Sequence, residues 1–550
     1  MMQLNENGLK NRAEWEKKGY DIPKYDRLEM VKKTRENPRW VHFGAGNIFR
    51  AFHADIANKL LDEGMSDSGI TAIDRGITVV EGYDYEIIEK KYRSHDDYTI
   101  LVVLKADGSV DKKIIGSIGE SIILDSNRDD EFNRLKEIFK KDSLQLATFT
   151  ITEKGYSVTD EKGIVLPEIK SDLDKGVTRP QSYIGKVAAL LYERYEAGKK
   201  PIAMVSTDNC SHNGEKLHSA IECFALGWLE NGYVDRGFCD YINNNKMVSF
   251  PWTVIDKITP RPDASVEALL KSDGVENIES VVTSKNTYVA SFVNAEETGY
   301  LVVEDSFPNG RPELEKGGVI FSDRQTVDKV EKMKVCTCLN PLHTALAIFG
   351  CILGYEKISD EMKDNELIKL IEGIGYKEGL PVVANPGVIN PLEFIDTVVK
   401  VRLPNPFLPD TPQRIATDTS QKLAIRFGET IKNYQKEGLS LKNLKFIPFV
   451  YAGWLRYLMG IGDNGKTFEL SPDPLLEAVR VYVKDIKIGD RVSSDSLLEL
   501  LSNKSIFGVD LHEVGMADKV VSYFNDMIAG EGAVRKALMK VVGQHMEHLQ

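Results

Sequence analysis

A short β-type run, WVHF at 40–43, leads straight into Gly44-Ala45-Gly46-Asn47-Ile48-Phe49-Arg50, and the residues that follow place Phe49, Phe52, Ile56 and Leu60 at spacings of three or four. Strand, glycine turn and amphipathic helix in that order constrain the fold strongly. Gly44 suits the tight turn. Gly46 lets backbone N–H groups approach a pyrophosphate at the positive end of the helix. Phe49 stands where the usual fingerprint has its third glycine, so the glycines alone also fit a merely tight strand-to-helix turn. The surrounding β run and a helix ending at Gly64 favour dinucleotide binding. Gly44, Gly46, Asn47, Ile48, Phe49 and Arg50 are the expected cofactor-binding segment.

The next β run, ITVVEG at 77–82, ends at Glu81 and is followed by Asp84. A carboxylate here accepts hydrogen bonds from both ribose hydroxyls and repels a 2′-phosphate, which favours NAD as cofactor over NADP. Glu81 and Asp84 both fit, and a solvated turn acid is the alternative for Glu81. The polar stretch MSDSGITAIDRG lengthens the connection before them.

Further β runs at 98–105, 145–152, 201–206 and 248–255 alternate with helical patterns, which predicts a mainly parallel sheet with crossover helices. Asp107-Gly108 divides two β runs and signals a hairpin. From about Ser322 onward the pattern becomes long amphipathic segments with few β runs. The expected fold is α/β: a Rossmann-type N-terminal domain with an N-terminal extension over 1–310, and an all-helical, substrate-binding domain over 311–550. The polar stretch EDSFPNGRPELEKGG suits a linker or irregular crossing. Ligands of open α/β sheets sit at the carboxyl ends of the strands, so a cleft between the domains is the expected place for chemistry.

Among the 550 residues, 83 Asp+Glu against 70 Lys+Arg give a formal charge of −13, which argues against a nucleic-acid partner. Six cysteines without a CxxC pair read as reduced packing residues, Cys336 and Cys338 included. The polar N-terminus and the absence of an uninterrupted apolar run near ~18 residues predict a cytoplasmic protein without a membrane partner. No clustered Cys/His set suggests a catalytic metal. A monomer or small homo-oligomer is expected.

Four segments concentrate polar residues: STDNCSHNG at 206–214, IDKITP at 255–260, EKMKVCTCLNPLH at 331–343 and RIATDTSQK at 414–422. Taken alone, STDN is a good helix N-cap cluster. In order along the chain, GAGNIFR, TITEKGY, STDNCSHNG, VIDKITPR and MKVCTCLNPLHTALAIFG resemble the mannitol dehydrogenase family of long-chain, metal-independent polyol and sugar-acid dehydrogenases. The likeness runs from about Arg39 to about Gly465. It implies a general base at Lys334, whose pKa must fall from near 10.4 for the role; Lys332 and Lys257 are candidate neighbours. It further implies that Asn209 and Asn340 donate hydrogen bonds to the developing alkoxide. His343 would bind substrate and orient the lysine, Glu331 would gate proton exchange, and Asp256 would position substrate.

In the mannitol-oxidising members the lysine precedes the asparagine by five residues, whereas Lys334 precedes Asn340 by six. On a regular helix one extra residue turns the lysine by about 100°. A one-residue π-bulge absorbs it, or a break at Asn340-Pro341 does, with Asn340 as N-cap. The break is the simpler expectation; without either device Lys332 is the alternative base.

Family members act on polyols or on hexonates, and a hexonate carboxylate calls for a cation, ideally a guanidinium. Arg414 and Lys422 are the candidates, with a solvated helix face pairing with Asp418 as the other reading. The likeness of PNPFLPDTPQRIATDTSQK and TCLNPLHTA to sugar-acid members implies NAD-dependent interconversion of D-fructuronate and D-mannonate. Mannitol oxidation, tagaturonate reduction and a silent NAD-binding sensor are the alternatives.

Overall fold

The computed structural model describes residues 2–64 and 74–543. The polar stretch before the second strand lies largely outside the described residues. The chain divides into two compact units: Met1–Lys105 with Ser109–Asp328, and Ala106–Gly108 with Lys329–Gln550.

The first unit is built on a six-stranded sheet. In chain order its strands are β1 (Trp40–Phe43), β2 (Ile77–Glu81), β3 (Ile118–Ile123), β4 (Leu146–Phe149), β5 (Ile202–Ser206) and β6 (Val248–Ser249). All pair in parallel, in the spatial order 6-5-4-1-2-3. That is the doubly wound dinucleotide-binding order, with its switch point between β1 and β4. Alternate residues feed two cores. Val41, Phe43, Val80, Ala147, Phe149 and Met204 pack on one face. Trp40, Ile77, Val79, Leu146, Ala203 and Val205 pack on the other. Burial on both faces explains why these strands read as near-continuous apolar runs.

The Asp107-Gly108 hairpin is present: Thr99–Leu104 pairs antiparallel with Val110–Ile115. Gly108 takes the positive φ of +86° that the turn needs. The run VSFPWTVI departs from the expected single strand. It splits into β6 and a separate strand, Thr253–Asp256, in a three-stranded sheet with Tyr300–Glu304 and Ile320–Ser322. Pro251 lies between the two pieces, and a residue without an N–H cannot continue a central ladder. The stretch after Glu304 is irregular but tied down. Leu314 is buried, and Gly317 lies so close to Ile56 that a Cβ there would stand 2.7 Å from Ile56 Cγ2.

The second unit is helical, and its described residues contain one isolated bridge, Ile461 with Thr467. The run Arg324–Leu353 holds a window apolar enough by composition to cross a membrane, and 72 % of that window is buried inside the protein, as in a core helix. In this run helix Arg324–Met333 is followed by a π turn over Lys334–Cys338, then by helix Asn340–Leu353.

Candidate functional site: a cavity at the sheet switch point and a cluster of cations

A cavity of about 730 Å³ opens at the carboxyl ends of β1, β2 and β4, and both fingerprint glycines line it. Gly44 has φ +112°, and a Cβ there would stand 2.3 Å from the Thr150 carbonyl oxygen. Its role is to let the ends of β1 and β4 meet. Gly46 differs: a Cβ there would meet nothing within 4 Å, so open space faces it, as a cofactor cradle requires. After the glycines the helix opens into a π turn over Phe49–His53 before continuing as Ala54–Glu63. Phe49 is fully buried and stacks on His42 with ring centroids 4.4 Å apart. The helix thus accommodates a large ring where a glycine usually permits close packing.

Arg50 points into the protein. It is 1 % exposed, donating to the Ala290 carbonyl at 2.6 Å and to Asn47 Oδ1 at 2.8 Å. Together these two members of the predicted segment brace the helix start. Ile48 and Asn47 are partly exposed beside them.

Glu81 and Asp84 differ in what they hold within the protein. Glu81 Oε2 accepts the Ala45 N–H at 2.8 Å, while Oε1 accepts those of Tyr83 at 2.7 Å and Asp84 at 3.1 Å. Its carboxylate holds the glycine turn to the β2 turn. Burial raises its pKa, against the three amides that lower it. Asp84 accepts from Thr283 Oγ1 through Oδ2. Its other oxygen, Oδ1, is buried without a hydrogen-bond partner among the described residues, and so is Tyr183 Oη, on a cavity-lining residue whose ring lies against Gly82. Orphaned polar atoms in a cavity lined by an open glycine fit a dinucleotide with free ribose hydroxyls.

Asp208 has a role that the N-cap reading of STDN misses. Its carboxylate accepts the N–H groups of Ile151 at 3.0 Å and Thr152 at 2.9 Å, and the Tyr156 hydroxyl. Thr152, another cavity residue, sits at φ +65°, ψ 159°, a region costly for any side chain. The acid pins that strained turn beside the nucleotide cavity. The helix Asn213–Glu230 is instead entered through His212, at φ +51° and with no side-chain cap. Asn209 is exposed on the turn before it, while Asp256 ends its strand buried. Lys257 donates to the Glu296 and Thr298 carbonyls at 2.6 and 3.0 Å, and burial pushes its pKa down to about 8.

In the second unit Lys334 is 5 % exposed, whereas Lys332 is exposed and Glu331 intermediate. The extra residue before Asn340 is absorbed by the π turn, closed by Leu339 N–H to the Lys334 carbonyl at 3.1 Å. There is also a kink, one residue earlier than expected. Leu339, at φ −127°, ψ −62°, is the N-cap, Asn340 is the first helical residue and Pro341 follows in the first turn. Pro341 disfavours helix at Asn340, but a π turn supplies the extra residue upstream, so the irregular backbone falls on Leu339.

His343 stands on the same turn as Asn340. Its Nε2 lies 3.4 Å from Asp410 Oδ2 without hydrogen-bond geometry. Burial first, then Arg426, Arg414 and Arg402, push its pKa down to about 4 against the pull of Asp410, so the ring is neutral near pH 7. Arg414 is ion-paired to Asp410, and the Lys422 ammonium donates to the Thr417 carbonyl. Arg402, Asp410 and Arg426 were not singled out by sequence; only the general need for a cation pointed here. Among the described residues no group of three or more His, Cys, Asp or Glu is placed to hold a metal ion.

Comparison with known proteins agrees with this architecture. The family model described as mannitol dehydrogenase Rossmann domain matches residues 38–316, and that of the mannitol dehydrogenase C-terminal domain matches 326–528. A D-mannonate oxidoreductase of Thermotoga maritima is 53 % identical over 99 % of each chain. A D-sorbitol dehydrogenase in substrate-free form shares the fold, with a TM-score of 0.79 at 24 % identity, covering 98 % of this chain and all of that one. Pseudomonas fluorescens mannitol 2-dehydrogenase, solved as a ternary complex with NAD and D-mannitol, aligns with a TM-score of 0.67 at 25 % identity, over 99 % of this chain and all of that one. The chain belongs to the mannitol dehydrogenase family of oxidoreductases.

Proposed function

We propose that this protein interconverts D-fructuronate and D-mannonate with NAD as cofactor. The observation that carries the reading is the 53 % identity, over essentially the whole chain, to a D-mannonate oxidoreductase. Support for a dinucleotide comes from the cavity at the switch point of the sheet, where the Gly44–Arg50 segment and the Glu81-braced turn would hold the pyrophosphate end. Asp84 Oδ1, unpartnered among the described residues, would take a ribose hydroxyl. When bound, the reduced cofactor supplies the hydride.

The remaining chemistry belongs to side chains. Lys334 gives the proton to the alkoxide oxygen during reduction and removes it during oxidation, and its burial keeps that proton from bulk water. Asn209 and Asn340 serve as amide donors to the developing negative charge. His343, neutral through burial among guanidiniums, offers one donor and one acceptor nitrogen to substrate hydroxyls. Glu331 gates proton exchange, and Asp256, Arg414 and Lys422 position the substrate. Assays of NADH oxidation with D-fructuronate, D-tagaturonate and D-fructose in parallel test the reading. Turnover of fructose alone would replace it with a mannitol 2-dehydrogenase, the activity named for the solved relative with NAD and D-mannitol.

A further inference from the structure

The second unit contains a guanidinium whose charge no carboxylate among the described residues matches. Arg426 sits in a π turn, Ala424–Gly428, packed against the π turn that opens at Lys334. Its Nη1 donates to Thr344 Oγ1, and Thr344 Oγ1 donates to the Asn340 carbonyl at 2.8 Å. The guanidinium is therefore tied to the helical turn that carries Asn340 and His343. It is partly buried, and among the described residues no carboxylate lies within ion-pair distance of it. Burial alone pushes its pKa down, to about 10. The neighbouring cations differ. Arg414 is paired with Asp410 and mostly exposed, and Lys422 is engaged with a backbone carbonyl. Leaving a guanidinium out of water without a counter-ion is costly, and an arriving carboxylate removes that cost with two parallel hydrogen bonds.

We propose that Arg426 is the carboxylate-binding residue of the substrate site, the group that selects a sugar acid over a neutral ketose. The inference rests on the sugar-acid reading above. Arg426 then marks the end of the substrate remote from the carbonyl that Lys334 and Asn340 serve, and Arg414 contributes charge that Asp410 largely neutralises.

The test measures kcat and KM for D-fructuronate and D-fructose at saturating NADH in the wild-type protein, Arg426→Met and Arg426→Lys, with thermal melting of each. Arg426→Met is expected to raise the fructuronate KM roughly 30-fold or more, the lower end of the range for truncating one partner of a desolvated charge pair, as suits a partly buried guanidinium. Its kcat should stay within a few-fold, and kcat/KM for fructose should hold or rise. Arg426→Lys keeps the charge without the fork, recovers part of the loss, and carries the test if the methionine variant does not melt cooperatively. Equal losses on both substrates, or an unchanged fructuronate KM, overturn the inference alone. A wild-type protein that does not reduce fructuronate overturns the sugar-acid reading and this inference with it.

Discussion

Gly44 and Gly46 are two residues apart in one motif, yet the structure assigns them opposite sensitivities. In Gly44→Ala the new methyl would lie 2.3 Å from the Thr150 carbonyl oxygen and 2.9 Å from its Oγ1. Thr150 has little freedom to retreat. Its N–H donates to the Phe43 carbonyl at 2.9 Å and its hydroxyl meets His42 Nε2 at 2.9 Å. The backbone must also carry a side chain at φ +112°. Positive φ costs about 1–2 kcal/mol and forced backbone displacement a similar amount again, for a total of about 3 kcal/mol. Gly46→Ala meets nothing within 4 Å and should fold with unchanged stability. On the proposed cofactor-binding role its methyl would take up space where backbone N–H groups approach the pyrophosphate, so NADH affinity should fall about tenfold or more, or ~1.4 kcal/mol. Thermal melting without cofactor and NADH fluorescence titration separate the two effects. Gly44→Ala should lower the melting temperature by roughly 5 °C. A Gly46→Ala protein that binds NADH like the parent, or a Gly44→Ala protein that melts like it, would refute the assignment of turn to one glycine and cradle to the other.

Other outcomes follow from the same geometry. Lys334→Ala should abolish turnover while Lys332→Ala, at an exposed position, retains most of it; steady-state rates with NADH decide, and the reverse result would move the base to Lys332. Glu361 is fully buried with both carboxyl oxygens unpartnered among the described residues, and burial holds its pKa well above the ordinary value of 4.5. Its protonated form costs nothing extra below pH 4.5, and stability declines as pH rises above that; Glu361→Gln should flatten the alkaline side of a denaturation profile, and an unchanged slope would contradict this. His53 is buried beside His42, and burial holds its pKa near 4. The unfolded chain takes up its proton first, so stability falls as pH drops from 6.5 through 4. The loss from this ring alone approaches about 3 kcal/mol below pH 4 and is about 2.4 kcal/mol at pH 4.5 relative to pH 7, which His53→Leu should remove from urea melts at those two pH values.

Much of this fold was legible in the sequence because buried parallel strands write themselves as apolar runs and glycines mark the turn between them. WVHF, GAGNIFR and the Asp107-Gly108 hairpin all occupy their expected places. VSFPWTVI was read as one strand because alternation does not register the ladder bond that Pro251 cannot make. The π turns at Phe49–His53 and Lys334–Cys338 were harder to read: a widened turn changes the hydrogen-bond partner by one residue and leaves composition untouched. Only the count from Lys334 to Asn340 hinted at one. Glu81 was singled out as an acceptor for ribose hydroxyls, with a solvated turn acid as the alternative; the structure shows its carboxylate accepting three backbone amides, which no feature of the run ITVVEG announces. Arg426 was invisible because a cation without an acid partner is a property of three-dimensional surroundings, not of the run AIRFG.

On the proposed function, this chain would reduce a sugar acid with a nicotinamide cofactor. The most direct measurement is the decrease of NADH absorbance when the purified protein meets D-fructuronate, with D-fructose and NADPH as parallel controls. Rapid oxidation of NADH with fructuronate is expected, and much slower reaction with fructose or with NADPH. Turnover of fructose at equal or greater efficiency, or no turnover with either substrate, would contradict it.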